Sequence, residues 1–192
     1  MSDFEYLSVL TAIIVGIGIA HLLLSLGRVF GQTKRLNVSV VHLIWTANVF
    51  TLLVVYWWWG INLREVQEWT FLQYYFFLIT TALWCLLAAI LYPVSIPLEF
   101  DVKAYFADKR KSFFTVLVVV AFADPLTALI LGTEQLIDLG WSYLHLMVAS
   151  IVGGVAGIRY DNERFHLGFA IYWGLSLLFF TLSFQYAVGD IT

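Results

Sequence analysis

The sequence predicts an all-α integral membrane protein with six transmembrane helices, both termini on the non-cytoplasmic side, and a candidate 3+3 inverted repeat. Three observations predict it. The first is composition: the 192 residues are 61% hydrophobic and 12% charged, with mean hydropathy +0.88. Soluble domains run about 45–50% apolar and about 25% charged. The second is segmentation. A helix needs about 20 mainly apolar residues to cross a bilayer, and six stretches meet or approach that length: 5–27, 39–60, 70–92, 113–132, 141–158 and 165–187. They show no period-2 alternation, which favours helices over barrel strands. The third is the distribution of basic residues. Arg28, Lys34 and Arg35, then Lys103, Lys109, Arg110 and Lys111, then Arg159 and Arg164 fall on one side, leaving only Arg64 on the other. Basic loops stay in the cytoplasm. Little chain remains for a soluble domain, so 1–192 reads as one polytopic membrane domain.

Span 1 follows an acidic start, "MSDFEY", that lacks the basic region of a signal peptide, so it is expected to be retained as a helix. Ala12, Gly16 and Ala20 recur at spacing four, a pattern that lets another backbone approach closely. Ala149, Gly153 and Gly157 do the same in span 5. Both spans are therefore expected in the bundle interior or at a subunit contact. Span 2 ends in "YWWW". Trp57, Trp58 and Trp59, with Trp69 and Trp141, fall at the outer ends of spans, as an interfacial aromatic belt requires. Span 3 holds the lone cysteine, Cys85, which excludes an internal disulfide. Pro93 and Pro97 end it. In the loop that follows, Leu98, Phe100, Val102, Tyr105 and Phe106 mix with charges, which fits an interfacial segment or an ordinary stop-transfer loop.

Span 4 contains "VVVAFADPLTALILG" (Val118–Gly132), where Asp124 is the one acidic residue in the middle of a span. Intramembrane carboxylates are costly and persist when paired, hydrated or needed. Pro125 cannot donate an amide hydrogen bond, and Asp followed by Pro is a common helix start. The pair therefore predicts two half-helices with Asp124 capping the second. Broken helices build ion sites in transporters. A kink whose carboxylate bonds a neighbouring helix fits the same residues. Thr127 shares the face of Asp124.

Other polar candidates are His21 deep in span 1, Asn48 in span 2, His145 near the outer end of span 5, and Gln185 in span 6. His42 and His166 begin spans 2 and 6. Each fits either a functional group or a satisfied packing contact. Laying span 1 on span 4 places His21 on Asp124 and aligns "VHLI" (Val41–Ile44) with "LHLM" (Leu144–Met147). An inverted repeat built this way would bring His21 and Asp124 to one central site.

These features point to a proton or cation channel or transporter using Asp124, His21, Thr127, Asn48 and His145. A non-catalytic membrane sensor, scaffold or complex subunit fits them as well. A protein binding haem through two histidines is a third class. No metalloprotease motif, phosphate-binding loop or nucleophile constellation appears, so no enzyme and no cofactor is expected. No basic stripe suggests nucleic acid. The expected partners are the lipid bilayer and a second copy or another membrane protein, in a prokaryotic plasma membrane. The sequon at Asn37 falls on the cytoplasmic side and is expected to be unmodified.

Overall fold

The structure, a computed structural model, describes residues 3–31, 39–66, 68–97, 100–132 and 140–188, the last five by their backbone only. Lys34, Arg35, Asn37, Leu98 and the side chain of Gln185 lie outside the described residues. Six long helices follow one another: α1 (Asp3–Phe30), α2 (Val40–Trp59), α3 (Phe71–Leu91), α4 (Val102–Leu131), α5 (Gly140–Arg159) and α6 (Glu163–Val188). A short 3-10 helix, Gly60–Glu65, follows α2. All six are long and apolar enough to cross a membrane, which makes the chain an integral membrane protein.

Local signals account for the helix starts. Ser39 Oγ accepts from the His42 amide (3.4 Å), and Thr70 with Gln73 forms a reciprocal capping box. Asp101 accepts from the Ala104 amide (2.9 Å) and Asn162 from the Arg164 amide (2.9 Å). Gly132 ends α4 with a positive φ of 150°, a conformation suited to glycine.

Span 4 differs from expectation in two ways. Its helix begins at Val102 rather than near 113, so much of the basic loop is helical. Phe100, Val102 and Phe106 are buried in the protein core instead of lying among headgroups. The helix is also unbroken, with Pro125 inside it. The acid that caps it is Asp101, not Asp124. Membrane helices tolerate internal proline where side chains re-satisfy the backbone. Thr127 Oγ1 donates to the Ala123 carbonyl (2.9 Å), not to the Ala121 carbonyl that Pro125 leaves without its helical donor.

Helices α2, α3, α4, α5 and α6 form a ring in the order α3–α4–α5–α6–α2, closed by contact between α2 and α3. Helix α1 packs outside this ring, on α3 and α2. Its buried seam is Thr11, Val15, Gly18, Leu22, Ser25 and Val29, a spacing of alternating four and three that suits left-handed helix packing. Gly18 is where backbones come close, since a Cβ there would lie 3.1 Å from Leu53 and 3.2 Å from Cys85. Cys85 Sγ donates to the Ile14 carbonyl (3.3 Å). Ala12, Gly16 and Ala20 face outward, and nothing lies within 4 Å of a Cβ at Gly16. Span 1 is thus not in the bundle interior, because its seam runs along another face, and its small-residue stripe stays on the uncovered side, where the alternative of a subunit contact applies. In α5, Gly153 and Gly157 lie against neighbouring helices. A Cβ at Gly153 would clash with Phe169 of α6, and one at Gly157 with Phe114 of α4 (2.7 Å). The 3+3 repeat is not shown: α1 packs chiefly on α3, whereas α4 packs chiefly on α3 and α5.

The tryptophans divide by depth. Trp45, Trp84 and Trp173 are fully buried, Trp59 and Trp69 are partly buried, and Trp57, Trp58 and Trp141 are exposed, the last 85%. Toward the end of the bundle that carries the basic residues, Trp45 meets Phe113, Phe114, Phe169 and Trp173 at ring-centroid distances of 5.0–5.6 Å. This cluster fills the ring there.

Gly157→Ala is expected to lower stability by about 1–3 kcal/mol through overpacking against the fully buried Phe114 ring. Gly16→Ala, with open space at its Cβ, is expected to be neutral or mildly stabilising. Thermal unfolding of both variants in detergent checks the contrast.

Candidate functional site

Asp124 reaches the ring interior from α4 in the half toward the tryptophan-rich end. Its Oδ1 accepts from Trp84 Nε1 of α3 (3.0 Å) and its Oδ2 from Tyr143 Oη of α5 (2.8 Å). The carboxylate thus ties three helices. A carboxylate offers about four lone-pair sites, so these two donors leave capacity for a further proton or cation. Beside it lies a cavity of 50 Å³, lined by residues of all five ring helices and by none of α1. That volume has room for water-sized occupants.

The α3–α4 contact that positions Asp124 carries two more polar links in antiparallel register. Thr80 Oγ1 meets Thr127 Oγ1 (2.7 Å), and Gln73 Nε2 donates to the Ile130 carbonyl (3.2 Å). The Thr127 hydrogen is already given to Ala123, so Thr80 is the donor to Thr127. Tyr56 Oη sits 2.9 Å from Thr81 Oγ1, which itself donates to the Phe77 carbonyl. Tyr56 is therefore the donor, and its ring forms part of the cavity wall.

Of the residues expected at one site, the structure brings together Asp124 and Thr127, both in the cavity wall. His21 does not join them. It lies on α1 outside the ring, and its Nε2 is buried with no hydrogen-bond partner among the described residues. The helix packing that would have joined them depended on a repeat the structure does not show. Asn48 donates to the Ala170 carbonyl (2.8 Å) and packs on Gly174, linking α2 to α6. His145 is exposed on α5, with Nε2 3.2 Å from Ser176 Oγ and 3.0 Å from Tyr172 Oη. His42 Nε2 donates to the Leu91 carbonyl (2.7 Å). None of these three adjoins Asp124.

Trp84, Tyr143 and Tyr56 are the site residues that sequence reasoning missed. Trp84 had a usable signal: it lies well inside span 3, away from the interfacial belt, and a buried indole N–H needs an acceptor. Tyr143 and Tyr56 stand near span ends and resemble belt residues.

A second polar cluster lies at the basic end. Arg110, only 8% exposed, donates from Nη1 to the Tyr160 carbonyl, which His166 Nε2 also reaches (2.9 Å). Asp161 is 3.2 Å from the same guanidinium nitrogen, and Lys103 pairs with Glu163 (2.9 Å). These contacts lock the α5–α6 turn to the first turns of α4. Among the described residues, no group of three or more His, Cys, Asp or Glu is placed to hold a metal ion. No known family matches this chain, and neither characterised proteins nor solved structures include a similar one.

Trp84→Phe and Tyr143→Phe are each expected to cost about 1–3 kcal/mol, because each strips a donor from one enclosed carboxylate. Their effects should be non-additive, since both act on one group. A double-mutant cycle of unfolding free energies in detergent measures the coupling.

Proposed function

We propose that the protein is a small membrane carrier that binds a proton or cation at Asp124, with no enzymatic activity of its own. The observation that carries the reading is a carboxylate with unused acceptor capacity, facing a cavity on the axis of a five-helix ring. An intramembrane acid in such a place is by default a functional group. The broken helix and His21 no longer contribute to the proposal, since α4 is continuous and His21 lies outside the ring. The positive-inside distribution puts the basic end in the cytoplasm, both termini outside and the Asp124 cavity in the outer half. The aromatic cluster around Trp45 closes the inner half. This favours a carrier that rearranges over an open channel. A prokaryotic plasma membrane is the proposed location.

One observation favours a second reading, a non-catalytic sensor or subunit of a larger assembly. The small-residue face of α1, Ala12, Gly16 and Ala20, is uncovered and suits close contact with a second copy or another membrane helix. On this reading the Asp124 bonds serve only to join α3, α4 and α5.

Sealed liposomes carrying the protein and a proton- or cation-sensitive dye separate the two. Wild-type protein is expected to move protons or cations down an imposed gradient, and Asp124→Asn to reduce that flux to background while keeping its unfolding transition. Absence of flux in wild type, with a stable partner recovered in mild detergent and Asp124→Asn tolerated, would establish the second reading instead.

A further inference from the structure

We propose that the cation taken by the Asp124 chamber is an organic ammonium ion, its charged head against Asp124 and its apolar body in a neighbouring groove. The inference rests on the cation-binding reading above and names the class of cation. Its starting point is what surrounds the carboxylate. Tyr56, Trp59, Phe77, Trp84, Tyr143 and Phe180 all line the chamber. Ring faces attract cations, and aromatic cages are a recurring way to hold alkylammonium groups. A metal ion needs several oxygen ligands. The chamber has one carboxylate, both of whose oxygens already accept a hydrogen bond, and the Thr127 oxygen in its wall already accepts from Thr80. An ammonium head needs only the carboxylate as acceptor and can use the rings for the rest.

The second observation is a groove of 320 Å³ between the start of α1, the end of α2 and the 3-10 helix. Its lining is mostly apolar, with Phe4, Leu7, Leu63 and Trp69 among the walls. It falls within the size range of small-molecule sites, about 300–1,000 Å³, which the 50 Å³ chamber does not. Tyr56 and Phe77 line both spaces. Their rings are stacked, with centroids 5.9 Å apart and planes 21° from parallel, so one pair of rings forms the partition. The single hydrogen bond from Tyr56 to Thr81 fixes the hydroxyl end of that partition. A turn of these two rings joins the groove to the chamber. The joined space is apolar along its length and acidic at its inner end, which is the complement of an amine with an apolar body.

The test uses wild-type protein in nanodiscs of zwitterionic lipid. Tryptophan fluorescence, to which Trp59 and Trp84 of the chamber contribute, is titrated with hexylammonium, methylammonium, hexanol and potassium chloride. Hexylammonium is expected to give a saturable change. Methylammonium is expected to bind more weakly, by about fourfold for each methylene it lacks that would have been buried. Hexanol and potassium should give no saturable change, and Asp124→Asn should abolish the hexylammonium response. Because the four ligands are compared on wild type, the result stands even if the variant fails to fold. Hexanol binding as tightly as hexylammonium would overturn the proposal, since the groove would then act without the acid. A saturable response to potassium but not to hexylammonium would overturn it and leave the cation-binding reading intact. No response to any ion, with no flux in liposomes, would overturn both.

Discussion

The carboxylate of Asp124 sets the terms for the bundle around it. Inside a ring of apolar helices, an acidic group must find hydrogen-bond donors or pay a large desolvation cost. The donors come from α3 on one side and α5 on the other, through Trp84 and Tyr143. Helix α4 therefore has to lie between those two helices at one depth. The Thr80–Thr127 and Gln73–Ile130 links extend the same register along α3. On the α5 side, Gly154 and Gly157 leave space for Val118 and Phe114, so the two helices can approach closely enough for Tyr143 to reach the acid.

Away from the acid, the helices are joined by a repeated chemical device. Thr46, Thr81, Thr127 and Ser150 each donate to the carbonyl four residues earlier in their own helix. That satisfies the hydroxyl hydrogen locally and leaves an oxygen facing the next helix. Tyr92 and Tyr56, Thr80, and Trp173 then donate to those oxygens. Between membrane helices there is no hydrophobic drive, so such bonds and close packing hold them together. The device places donors such as Tyr and Trp against helices whose hydroxyl residues looked like minor polar interruptions in the sequence.

The two ends of the ring are filled differently. Toward the basic end, Trp45, Trp173 and three phenylalanines occupy the axis, and Arg110 fastens the α5–α6 turn below them. Toward the other end, the space around Asp124 is only partly filled, and a larger groove lies beyond the Tyr56–Phe77 pair. A cavity that stops at a packed aromatic layer is suited to receiving a ligand from one side.

Composition and apolar run length alone determined that this is a six-helix membrane protein, because the energetic requirement for crossing a bilayer acts on each segment independently. The span boundaries of 39–60, 70–92 and 141–158 lie within two residues of α2, α3 and α5 for the same reason. The singularity of Asp124 was also visible, since an acid within an apolar run needs no neighbour to be noticed. What stayed hidden depended on which helix faces which. Asp–Pro favours a helix start locally, yet donors on α3 and α5 satisfy the carboxylate and the helix runs on through Pro125. Gly16 and Gly18 look equivalent in the sequence, but only Gly18 lies on the seam that meets Cys85 and Leu53. Arg110 counted as a loop charge until α4 extended back to bury it. Helix neighbours, and with them the partners of Asp124, were decided by tertiary packing, because side chains on separate helices choose one another by shape and donor–acceptor match that no single span encodes.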